Sequence, residues 1–166
     1  TRFIPIPQPT LLVGPGSSGR LGQAVAGFGH KKILIVTDAI IAKLGLLKQL
    51  TDALTAGGAQ YVVFDEITPD APIPLVEKGI ALYGRTGCDA IIAFGGGSVM
   101  DAAKAIGLSA ANHKHPRELV GYFSGRLDTG LCILGQRLAR NRIDRQRNTS
   151  FLHQLAGGGN KIMFAQ

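Results

Sequence analysis

The chain has 166 residues, a net charge of +7, 23 glycines, no tryptophan and only 6% aromatic residues. That length fits one domain with one core. The few aromatics argue against a base-stacking nucleic-acid surface, and no run reaches the ~20 apolar residues of a membrane span.

In chain order, Phe3 to Ile6 and Thr10 to Val13 read as short strands of a small N-terminal hairpin, kept to edge positions by the prolines around them. Ser17 or Ser18 can cap a helix running to about Phe28. Lys32 to Val36, KILIV, is an apolar run of the buried parallel kind. Asp38 to Ala56 reads as one helix, with Ile41, Leu44, Leu47, Leu50 and Leu54 at helical spacing and Gly57-Gly58 as the stop. Gln60 to Phe64 is the next strand. A proline-rich loop from Asp65 to Pro74 follows, and Pro72 fits the first turn of a helix ending near Arg85. Asp89 to Phe94 is a strand and Ser98 to Leu108 a helix. Beyond Ala110 the pattern fades. Glu118 to Phe123 suits a short helix or turn, and Leu131 to Ile143 a basic amphipathic helix weakened by Gly130 and Gly135. The alternation of strands and helices predicts an α/β fold, an open parallel sheet of Rossmann-like type.

The segment Ala90 to Gly107, AIIAFGGGSVMDAAKAIG, carries the strongest functional signal. A strand that stops at three glycines and restarts as a helix leaves bare N–H groups at the positive helix end, a site suited to phosphate. Gly95, Gly96, Gly97 and Ser98 are therefore the candidate pyrophosphate site. Asp101 stands three residues after Ser98, near the cofactor or as a capping-box partner of Ser98. Lys104 can pair with Asp101 or reach toward phosphate. Asp38, at the end of the first buried strand, can accept hydrogen bonds from both ribose hydroxyls of an adenosine and repel a 2′-phosphate, which favours NAD over NADP. It can equally cap the next helix. Gly14 to Gly19 forms a formal GxGxxG, but Pro15 lacks an N–H and the strand before it is short, so it ranks below the GGGS turn. His113 and His115 form an H-x-H pair in a polar stretch, best read as solvated. His153 stands alone.

GGGSVMDAAK (Gly95 to Lys104), KKILIVTDAIIAKLGLL (Lys31 to Leu47) and EITPDAPIP (Glu66 to Pro74) together resemble the iron-containing, or group III, alcohol dehydrogenase family. The resemblance runs from about Phe3 to Phe123. It implies the N-terminal, cofactor-binding half of the dehydroquinate synthase-like fold. It also implies reversible oxidation of an alcohol to an aldehyde or ketone, with hydride passing to NAD beside an Fe²⁺ ion. Asp70 stands where many family members have Asn in a PNP-type loop, so the resemblance adds Asp70 to the cofactor contacts. The family's next segment, TTxGTGSE-like, and its helical domain with one Asp and three His as metal ligands have no match after Phe123. The expectation is thus a nucleotide-binding domain over 1–123 and a basic tail over 124–166 without family resemblance, with no metal ligands and no catalytic residue placed.

The tail holds 7 basic and 2 acidic residues against 11 and 9 in the body. Its charge suits a solvated face. Cys88 and Cys132 lack metal spacing and read as reduced thiols, and TRFIPIPQPT lacks the apolar core of a secretory signal. A soluble cytoplasmic protein is expected. Its expected partners are a dinucleotide, an alcohol or aldehyde only if the missing half is supplied, and a second copy of the chain; no membrane is expected and nucleic acid is disfavoured. The alternatives are an inactive nucleotide-binding module left by truncation or a frameshift, and an interaction protein acting through Arg137 to Arg147.

Overall fold

The computed structural model describes residues 10–12, 17–119, 130–135 and 163–165. Its elements are β1 (Thr10–Leu12), α1 (Ser17–Gly27), β2 (Lys32–Val36), α2 (Ala39–Lys43), α3 (Lys48–Ala56), β3 (Gln60–Phe64), α4 (Ile73–Thr86), β4 (Ala90–Gly95), α5 (Gly97–Asn112), a 3₁₀ turn (Pro116–Leu119), β5 (Gly130–Gly135) and β6 (Met163–Ala165). Four strands form one sheet in the order β3-β2-β4-β5, with every pair parallel.

The apolar runs of β2 and β4 are buried on both faces, as a central parallel pair requires. Alternation along each strand divides the core. Leu34, Val36, Ile91 and Ala93 pack with Val76 and Tyr83 of α4 and with Val99, Ala102, Ala103 and Ile106 of α5. Ile33, Ile35, Ile92 and Phe94 face the other way, onto Leu21 and Val25 of α1 and Leu50 and Leu54 of α3. Helices therefore cover both faces of the sheet. The chain steps from β2 outward to β3, then crosses back to place β4 on the other side of β2. The carboxyl ends of β2 and β4 thus flank the point where strand order reverses, the place where ligands sit on open α/β sheets.

At the amino ends the same two strands are pinned by a carboxylate. Asp89 accepts the Lys31 N–H at 2.9 Å and the Lys32 N–H at 3.1 Å, fixing the start of β2 against the start of β4. Behind it lies Tyr83, whose phenol is pushed up to about 12, first by burial and then by the charges of Cys88 and Asp89.

Several expectations are corrected. The helix expected from Asp38 to Ala56 is two helices, because Gly45 adopts φ +69° and breaks the backbone between α2 and α3. The break turns Leu44 outward, 67% exposed, while Leu47, Leu50 and Leu54 stay buried. Pro72 is the residue before α4 rather than inside its first turn. Helix α5 starts at Gly97 and runs four residues past Leu108, ending where His113 takes a left-handed conformation. Residues 131–135, expected in a basic helix, are a strand paired with β4 from Ala90↔Gly130 to Gly95↔Gly135. The sheet therefore takes in part of the stretch expected to be a separate tail. The described part of the N-terminal pair, β1, runs parallel to β6, and residues 3–6 lie outside the described residues. So do His153 and the stretch from Arg137 to Arg147. Among the described residues no helix is long and apolar enough to cross a membrane.

Candidate functional site

Three segments reach the carboxyl edge of the sheet: Thr37-Asp38 after β2, the loop through Asp70 after β3, and Gly95 to Ser98 after β4. Each expected cofactor residue except Asp101 lies on one of them.

Asp38 caps α2. Its Oδ1 accepts the N–H groups of Ile40 at 3.0 Å and Ile41 at 2.9 Å. A carboxylate has a second oxygen with its own lone pairs, so capping and a ligand contact are compatible in one residue.

The turn into α5 is built differently. Gly96 is the N-cap and no side chain bonds to the helix start. The first intrahelical bond is Met100 N–H to Gly96 O at 3.0 Å, so the N–H groups of Gly97, Ser98 and Val99 precede the helical ladder. The glycines differ in what they do. A Cβ on Gly95 would stand 2.8 Å from Val99 Cγ2 and 2.9 Å from its Cβ, so Gly95 is needed for the fold of the turn. A Cβ on Gly96 or Gly97 would meet nothing within 4 Å. Their bare backbone faces open space, the condition for a phosphate to approach.

The β3 loop joins this turn. The Asp70 N–H donates to Ser98 Oγ at 3.3 Å. Asp70 and Ala71 both hold positive φ, +65° and +39°, a costly backbone for residues with a side chain. Ser98 accepts that bond through its oxygen, which leaves its hydroxyl hydrogen to donate elsewhere.

Asp101 and Lys104 form an ion pair on α5. Ser98 lies inside α5 and is not its cap, so the capping-box alternative for Asp101 does not hold. Asp101 Oδ1 pairs with Lys104 Nζ at 3.1 Å, with the lysine side chain 3% exposed and the aspartate 65%. The lysine stem runs through the core and its ammonium is met by a carboxylate on the same helix, which keeps a buried charge partnered.

Thr37 was not singled out by the sequence. It is fully buried, and its hydroxyl donates to Phe94 O at 2.7 Å. Its N–H donates to Phe64 O at 2.9 Å, and its carbonyl accepts from the Ile67 N–H at 3.4 Å. The only clue in the sequence is a polar residue ending an apolar run.

Residues 8–133 match the family model described as iron-containing alcohol dehydrogenase. The chain belongs to the iron-containing alcohol dehydrogenase family. It is 39% identical over 99 residues to the choline dehydrogenase of Bacillus subtilis, which covers 60% of this chain and 25% of that protein. It is 37% identical over 110 residues to the NAD-dependent methanol dehydrogenase of Bacillus methanolicus, covering 66% and 28%. The alcohol dehydrogenase of Oenococcus oeni superposes with a TM-score of 0.70 at 30% identity, over 76% of this chain and 34% of that one. The chain thus spans about a quarter of the length of the curated relatives it matches. The family match passes Phe123 and reaches into β5, in line with the pairing of β5 to β4.

The described residues do not fit the iron of the family name. No three His, Cys, Asp or Glu side chains converge among them. His115 Nε2 is held by Glu77 at 2.6 Å, His30 Nδ1 lies 3.9 Å from Asp89, and His113 forms the end of α5. A metal centre needs several ligands aimed at one point, and these three histidines point to different tasks.

Proposed function

We propose that this chain is the nucleotide-binding part of an NAD-dependent alcohol dehydrogenase. One observation carries the reading: a carboxylate and a bare helix start sit at the carboxyl ends of two adjacent parallel strands, where the strand order reverses. In this reading Asp38 Oδ2 accepts from the adenosine ribose hydroxyls, and Oδ1 continues to cap α2. The N–H groups of Gly97 and Ser98, over the open backbone of Gly96, receive the pyrophosphate. The Ser98 hydroxyl donates to it, aligned by the Asp70 N–H. Asp101 stands near the cofactor in this reading, with Oδ2 left for it while Oδ1 pairs with Lys104.

NAD, when bound, supplies the hydride acceptor for alcohol oxidation. The chain's own residues bind and orient it. Negative charge at Asp38 sets the preference for a free ribose 2′-hydroxyl over a 2′-phosphate.

Titration of the full chain with NADH, followed by fluorescence or calorimetry, tests this. Saturable binding that ADP-ribose competes away, and that NADPH matches only at higher concentration, is the expected result. No binding at millimolar NADH sinks the reading. A paired assay of metal content and NADH formation with short primary alcohols separates a binding part from a complete catalyst. Binding without turnover is expected, because the described histidines are committed elsewhere. Near one metal per chain with sustained turnover would mean that residues outside the described ones build the iron site.

A further inference from the structure

The cofactor reading requires two contacts on separate strand ends to stand a fixed distance apart. Asp38 follows β2 and the glycine turn follows β4. Asp38 bonds within its own turn and Ser98 bonds to the β3 loop through the Asp70 N–H, so neither of these contacts joins the two turns to each other. The residue that spans the two strand ends is Thr37. It is one residue before Asp38, and its hydroxyl donates to the carbonyl of Phe94, one residue before Gly95. The last Cα partners of the β2–β4 ladder are Val36↔Ala93, so the Thr37 side chain continues the pairing one step beyond the backbone register. Its N–H and carbonyl reach Phe64 and Ile67 of the third segment. One fully buried residue thus meets the ends of all three strands that carry the candidate site, and its side chain makes the link from β2 to β4.

The geometry points to Thr37 as a positioning residue: its hydroxyl sets the span between the ribose carboxylate of Asp38 and the phosphate-binding turn at Gly96 to Ser98. This rests on the proposed cofactor reading. The hydroxyl is shielded from solvent and bonded to the backbone, so it touches no ligand and acts through the two segments it joins. A ligand that engages both contacts gains from the second only when the spacing matches. A ligand that engages one contact is indifferent to the spacing. A residue acting on span alone must therefore affect ligands according to their length.

The test compares adenosine, which engages only the Asp38 side, with ADP-ribose, which engages both. Affinities for the full chain can be read by chemical-shift titration for the weak ligand and by calorimetry for the strong one. Thr37→Val keeps the β-branched shape and removes the donor. ADP-ribose binding should weaken by ~10-fold, while adenosine binding stays within about twofold. Thr37→Ser restores the hydroxyl and should restore the wild-type ratio of the two affinities. Should the valine variant fail to fold, Thr37→Cys retains size and a weak donor, and should shift the ratio in the same direction by a smaller factor. An equal loss of both ligands in the valine or cysteine variant, or a serine variant that fails to recover the ratio, overturns the proposal. So does an unchanged ratio in the valine variant. Failure of the underlying reading looks different: wild-type chain then binds no ADP-ribose, and the role assigned to Thr37 falls with it.

Discussion

The ends of β2 and β4 are neighbours in one sheet, and each turns directly into a helix, yet they solve the helix start in opposite ways. After β2 the chain satisfies two N–H groups itself, through Asp38 Oδ1, and the helix α2 is five residues long. After β4 no side chain serves the N–H groups, and the helix α5 is sixteen residues long. The first end presents a negative charge and the second a set of donors with a positive dipole behind them. A strand-to-helix turn alone does not make an anion site. In the proposed reading the turn after β4 serves as one because side-chain capping is withheld and the backbone is left uncovered.

The sharpest way to break that contrast is to cover the bare turn. Gly96→Val places a side chain in the open space above the helix start. ADP-ribose affinity should fall at least ~100-fold, read by calorimetry. Valine is a poorer N-cap than glycine, so the fold should lose only about 1 kcal/mol or less. Unchanged affinity would remove the turn as the phosphate site. Gly95→Ala asks the complementary question within the same motif. The new Cβ would press on Val99, and overpacking of that kind costs roughly 1–3 kcal/mol. A lowered midpoint in urea is expected, with ligand affinity retained by the folded fraction.

At the other turn, Asp38→Gly keeps a tolerable cap, costing a few tenths of a kcal/mol, but removes the charge. The preference for NADH over NADPH should narrow by ~10-fold. A wild-type chain that already prefers NADPH would contradict the role given to Asp38.

The amino ends of the same strands supply a control, because they lie away from both turns. Tyr83 holds its proton in the folded state up to about 12 against an ordinary 10.0. Between those values the unfolded chain binds fewer protons than the folded one, so stability falls as pH rises through that window. Tyr83→Phe should flatten this alkaline loss without altering the ratio of NADH to NADPH binding. Absorbance titration of the tyrosinates should lose the step at about 12 in the variant.

Much of this edge was legible in the residues. KILIV and AIIAFG are apolar on both faces, and only a central parallel strand uses such runs. The glycine turn was readable because three glycines cannot continue either element, and Asp38 because it follows a strand and precedes a helical pattern. What escaped was set by tertiary context. The spacing of Ile41, Leu44 and Leu47 is compatible with one unbroken helix, and the left-handed backbone at Gly45 that interrupts it leaves no periodic trace. GLCILG is short, bounded by glycine and followed by arginines. Its identity as a strand depends on β4 offering an edge to pair with. The pairing of Lys104 with Asp101 was open to the sequence, but its burial depends on how α5 packs against the sheet. The hydrogen bond from Thr37 to Phe94 joins residues 57 apart in the chain, beyond the reach of any local pattern.

The carboxylate of Asp89 closes a loop of the same order, since it bonds to the N–H of Lys31, 58 residues earlier. The chain between the strands so fastened carries α2, α3, β3 and α4 in their entirety. The central strand pair is therefore a long-range contact, whose closure carries the entropy cost of ordering everything in between. In the proposed reading the ribose and phosphate contacts belong to strands that meet only when that loop is shut, so the two come together with the sheet. A dinucleotide that binds here recognises the finished topology, so its binding energy adds to the stability of the whole sheet rather than to any one segment.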